Sequence, residues 1–176
     1  MAINQGPSIQ TSPWLDRERA DILDCLGGII HNDRPLFEQG WVSLLRGSNV
    51  RVLGGLAYAI NTLLRHIYTS NPEQFDDPEL FVSFVDDAVS NLAMRSDITP
   101  ETIRSTIDFS VEINTEWSWQ QMLIDPPLTM RNMLITYLVL ATHVANQSGG
   151  IDVIEFAQKH LNSCEAPDVN SLPSNF

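Results

Sequence analysis

MLITYLVLATHVA, residues 133–145, is the stretch whose reading decides the rest of the chain. Its thirteen positions carry two threonines, one histidine and no charge. A bilayer span needs about 20 consecutive apolar residues, so this run is too short to cross a membrane. The opening MAINQGPSIQTSP has neither the basic start nor the apolar stretch of a secretory signal. A helix that is apolar all round belongs at the centre of a core. The expected fold is therefore all-α, a single-domain bundle of six or seven helices around a central apolar helix at about residues 130–147. Residues 12–162 would form that domain, with a flexible segment 1–11 before it and a loose tail 163–176 after it.

Working outward, Asp125-Pro126-Pro127 breaks the chain before the central helix, and Gly149-Gly150 closes it. Asp152 and Glu155 stand at capping-box spacing ahead of VIEFAQKHL, a last helix. Ser12-Pro13 reads as the start of a first helix, with Leu15, Ile22, Leu26 and Ile29 at helical spacing. Asp33 would cap a second helix that stops at Gly47, and Ser48 or Asn49 opens a third that stops at Asn71-Pro72. Asp77-Pro78 opens ELFVSFVDDAVSNLAM, and Thr99-Pro100-Glu101 opens a fifth helix in the same way. One stretch has a second solution, because Ile107–Asn114 alternates apolar and polar residues as a half-buried strand does. Helix is the preferred reading of residues 106–114, since a lone strand among helices has no partner.

The net charge of −12 is unevenly placed. Residues 1–72 balance six acids with six arginines, whereas residues 73–116 hold eleven acids against two arginines. That middle region repels phosphates, so direct binding to nucleic acid or an anionic membrane is not expected, and an electrostatic partner should be basic. Cys25 and Cys164 form no metal-binding pair and no disulfide framework, which fits a reducing, cytoplasmic setting.

Chemistry-bearing motifs are sparse. His31, His66, His143 and His160 have no metal-binding or nuclease spacing; all lie near predicted helix ends, where a ring can bond free carbonyls. His143, in the most buried helix, should be bonded to a neighbour. Neither metal, cofactor nor catalytic residue is assigned. The pairs Gly27-Gly28 and Gly54-Gly55 sit inside helical patterns, where each glycine costs about 1 kcal/mol against alanine, and close helix approach is the expected reason. Trp117 and Trp119 point to different faces of a helix, so Trp119 is a candidate partner anchor.

TYLVLATHVANQSGGIDVIEFAQ, residues 136–158, resembles the BH2 region of Bcl-2-like proteins, where a helix ends in a Gly-Gly pair and an aspartate-capped helix follows. That resemblance implies a helix-in-groove binder. It covers 23 of 176 residues and departs where those proteins carry Asn-Trp-Gly-Arg before their most apolar helix. Here Trp117-Ser118-Trp119 and a Pro-Pro break stand instead.

The functional expectation is a non-enzymatic protein-protein interaction module or assembly subunit with a protein partner, a basic one or a further copy of itself. Trp119 and the acids Asp76, Asp77, Asp86 and Asp87 are its candidate contacts. The alternatives are an acidic decoy for a basic partner, or a pocket between helices built from His66, His143, Tyr58 and Tyr137 that binds or transforms a small molecule.

Overall fold

The computed structural model describes residues 15–93, 97–111 and 124–164. Within them the chain is helical throughout: α1 (Asp16–His31), α2 (Arg34–Arg46), α3 (Asn49–Ser70), the single turn α4 (Glu73–Asp76), α5 (Pro78–Val89), α6 (Pro100–Val111), α7 (Pro126–Gln147) and α8 (Val153–Ser163). Among the described residues no helix is long and apolar enough to cross a membrane.

Helix starts follow side-chain chemistry. Asp33, Ser48, Asp77, Thr99, Asp125 and Asp152 each accept a hydrogen bond from a backbone N–H in the first turn of the helix they precede. Those N–H groups have no partner inside the helix, which is why short oxygen-bearing residues stand there. The first helix begins at Asp16 with Leu15 as its cap, the Glu18 carboxylate taking the Leu15 N–H from within the helix, and Ser12 and Pro13 lie outside the described residues. Helix α5 ends at Val89, short of the Met94 that its apolar pattern reached, and α4 is a turn that periodicity is too coarse to register. Residues 106–111 are helical, and residues 112–114 lie outside the described set.

Helix α7 is the centre. Met133 to Ala141 are all buried, and α7 touches α1, α3, α5, α6 and α8. Its end needs two left-handed residues in succession, Gly149 at φ 93° and Gly150 at φ 74°. Side chains are disfavoured there whatever the space around them. The closest helix pair is the antiparallel hairpin of α1 and α2. A Cβ on Gly28 would stand 2.6 Å from the Phe37 backbone nitrogen, and one on Gly40 would stand 2.5 Å from the Asp21 carbonyl oxygen. Close approach therefore accounts for Gly28 but not for Gly27, whose added Cβ would meet only Leu36 Cδ2 at 3.5 Å. Gly54 and Gly55 are buried within α3.

Polar ties cross the bundle at a few points. Arg51 of α3 bonds Glu18 of α1 through Nε at 2.9 and 3.0 Å, and the Asn61 amide donates to the Ser110 carbonyl at 2.8 Å. Phe75, Phe81 and Phe84 cluster beneath α4 and α5, with Arg104 lying 4.2 Å over the Phe81 ring.

Candidate functional site

On α3, Tyr58, Thr62 and His66 recur every four residues and so share one face. Phe156, His160 and Cys164 do the same along α8 and its end. The two faces meet, with Val144 of α7 and Ser148 just past its end closing one side, around an open pocket of about 430 Å³.

Thr62 and His160 line this pocket, and Tyr137 lies buried behind His160. His160 Nε2 lies 2.7 Å from Thr62 Oγ1, and His160 Nδ1 lies 2.9 Å from the Tyr137 hydroxyl. Thr62 Oγ1 spends its single proton on the Ala59 carbonyl at 2.8 Å. With that proton on Ala59, Thr62 accepts from His160, which is the tautomer that carries the imidazole proton on Nε2 and leaves Nδ1 to accept from Tyr137. The result is one directed chain, from Tyr137 O–H to Nδ1, from Nε2–H to Thr62, and from Thr62 O–H to the α3 backbone. Each proton has a destination, and the imidazole is neutral.

Electrostatics agree with that order. Burial, and then the nearby His66, push the His160 pKa down to about 4. Burial holds Tyr137 well above the ordinary phenol range, with the Cys164 sulfur adding to the effect. Cys164 Sγ lies 3.7 Å from His160 Nε2 and 3.9 Å from Thr62 Oγ1. Burial pushes that thiol up to about 11, although the Thr62 hydroxyl acts in the opposite direction. A reactive cysteine beside a histidine works as thiolate and imidazolium, whereas here both groups stay uncharged near neutrality.

Of the four side chains expected to form a pocket, His66 and Tyr58 line this one, and Tyr137 lies buried under it. His143 belongs elsewhere. Its ring meets Phe84 edge-on at 4.6 Å, and its buried Nε2 has no hydrogen-bond partner among the described residues, contrary to the expected bonded neighbour. Burial lowers its pKa too. Of the capping or packing role expected of the histidines, His160 takes the packing part: its ring stacks on Phe156 and bonds side chains of α3 and α7. His160, Thr62 and Cys164 were thus the missing members of the site. The four-residue recurrence of polar and aromatic side chains on α3 and α8 was the signal for them, and it becomes specific only when the two faces are known to meet.

The acidic candidates divide. Asp77 caps α5, and Asp76 accepts from the Tyr68 hydroxyl at 3.3 Å. Asp86 and Asp87 stand exposed on α5. Trp119 lies outside the described residues. Among the described residues no group of three or more His, Cys, Asp or Glu side chains is arranged to hold a metal ion. No protein-family model, curated protein or solved structure matches this chain significantly, so the BH2 likeness stands on residues 136–158 alone.

Proposed function

We propose that this chain is a non-enzymatic binding module whose pocket between α3, α7 and α8 takes a small uncharged molecule with an apolar body and hydrogen-bonding groups. The observation that carries the reading is the run of hydrogen-bonding contacts from the buried Tyr137 through His160 to Thr62 at the pocket floor. A floor with every proton assigned is preorganised, so a ligand meets it without rearranging it. The volume of about 430 Å³ falls within the range of small-molecule sites. Its walls pair the rings of Tyr58 and Phe156 with the hydroxyls of Ser148 and Ser163. Among the described residues no carboxylate, ammonium or guanidinium lines it, so a charged ligand would lose its hydration without gaining a counter-charge there. Binding is favoured over chemistry because Cys164 and His160 are both held neutral.

Ligand-observed NMR with a library of small uncharged fragments tests this. Ser148 is exposed at the pocket mouth, and Ser148→Trp fills it without touching the core. Fragments that bind the wild type and lose their signal with the variant support the proposal. A library whose hits do not discriminate between the two proteins overturns it.

Helix α5 favours a second reading, docking of a basic protein partner. Val82 is exposed between Glu79 and Asp86 on one helical face, an arrangement that suits a basic amphipathic helix. An arginine-rich amphipathic peptide should then bind with strong salt dependence, and Asp86→Lys should weaken it. Affinity indifferent to both salt and charge reversal removes this reading.

A further inference from the structure

A second cleft, of about 290 Å³, lies on another part of the molecule, where the end of α1 and the first turns of α2 face the first turns of α7. Its walls are apolar. Ile29 and Leu134 are buried in it, and the Phe37 and Trp41 rings stack 5.7 Å apart along one side. Among the described residues two guanidiniums border this apolar space, Arg34 and Arg131, and no acid lines it.

The two arginines differ. Arg34 is exposed and bonded to Glu38 at 2.6 Å, so its charge is already answered. Arg131 is half-buried and has no ion-pair or hydrogen-bond partner among the described residues. The other half-buried arginines there are held, Arg19 by the Asp16 carboxylate and Arg104 by the Phe75 carbonyl. Arg46 and Arg65 have no ion-pair partner among the described residues but are exposed, so water serves them. In a chain with 22 acids and 10 lysines and arginines, a guanidinium left unanswered against an apolar wall is the exception among the described residues. A partly desolvated charge is costly without a partner.

We propose that this cleft binds a small monocarboxylate with an apolar body, its carboxylate on the Arg131 guanidinium and its body between Trp41 and Leu134. The guanidinium fork matches the two oxygens of a carboxylate, and a single unanswered cation balances one negative charge. A phosphate dianion would need a second cation, and Arg34 is engaged by Glu38. The site shares no lining residue with the pocket of the proposed function, so each stands or falls alone.

Isothermal titration of the whole chain at pH 7 tests the assignment, with decanoate and phenylbutyrate as aliphatic and aromatic probes and decan-1-ol as the uncharged control. At least one acid should bind with one-to-one stoichiometry and more tightly than the alcohol, and Ser148→Trp should leave that binding intact. Arg131→Leu should weaken the acid by about tenfold or more and the alcohol little, with Arg131→Lys between, because Lys keeps the charge and loses the fork. Equal binding of acid and alcohol to the wild type would overturn the proposal even if Arg131→Leu failed to fold. So would an unchanged acid affinity in a folded Arg131→Leu protein. A dimer in light scattering that Arg131→Leu dissociates, with no binding of either acid, would instead make the cleft a subunit interface.

Discussion

The Tyr137 hydroxyl lies 2.9 Å from Nδ1 of His160, so the middle of the central helix is tied to the last helix by a bond between a buried tyrosine and a half-buried histidine. Tyr137 is completely buried. Tyr137→Phe keeps the ring and removes only the donor, which leaves Nδ1 in a place water reaches poorly. An unsatisfied buried acceptor costs about 1–3 kcal/mol, and urea unfolding of the variant should show a loss of that order. A midpoint equal to the wild type would mean that the bond contributes nothing net.

The same histidine makes stability depend on pH. Its folded pKa of about 4 lies below the ordinary 6.5, so the unfolded chain binds the proton more readily. Stability is then fully present above pH 6.5 and is lost as pH falls toward 4. The shift corresponds to roughly 3 kcal/mol once pH is below 4. Carboxylates titrate over part of this range, so the comparison is with His160→Gln. The wild type should lead the variant at pH 7, and the gap should shrink steadily between pH 6.5 and 4. A gap constant across that interval would show that His160 is not held neutral.

The fold could be read from the chain because its signals are local. Pro126, Pro100 and Pro78 each follow a capping oxygen, and the charge-free run of residues 133–145 has only one place to go in a helical protein. The site was only half legible. Tyr58 and His66 announce themselves as polar or aromatic residues, but what makes the pocket is the meeting of Thr62 with His160, 98 positions apart. Periodicity places a residue on a face and is silent about which face it meets. His143 misled for the same reason, since burial in α7 was readable and contact with Phe84 was not.

The α1 and α2 hairpin gives a test in which neighbouring glycines should respond oppositely. In a helix, Gly→Ala gains up to about 1 kcal/mol from backbone entropy alone. Gly27→Ala should realise that gain, because its Cβ would make ordinary contact with Leu36. Gly28→Ala and Gly40→Ala should instead destabilise by about 1–3 kcal/mol, since the new methyl meets backbone atoms that cannot move alone. Urea midpoints of the three variants check the order, and a stabilised Gly28→Ala would refute the close approach.

Glu18 joins the start of α1 to α3 by accepting from both the Leu15 N–H and Arg51. The carboxylate is buried while the guanidinium is partly exposed, so the pair is asymmetric. Arg51→Ala leaves a buried charge with one neutral donor. Full burial of both partners would make that loss several kcal/mol, and the exposure of Arg51 reduces it to roughly 2 kcal/mol. A double-mutant cycle with Glu18→Gln isolates the coupling, which should be favourable and fall with added salt. A coupling of zero would reduce Glu18 to its role at the helix start.

Both thiols should be inert in the folded chain. Burial pushes Cys25 up to about 12 and Cys164 up to about 11, and the thiolate is the form that reacts with a disulfide reagent. Access is limited as well, since Cys25 is fully buried and Cys164 is 5% exposed at the edge of the pocket. Ellman's reagent at pH 8 should therefore label neither thiol promptly in buffer and both at once in denaturant. Cys164→Ser serves as the control that assigns any slow phase. Prompt labelling of one thiol that disappears in Cys164→Ser would place a reactive thiolate beside His160, and the pocket would then be a site of chemistry rather than of binding alone.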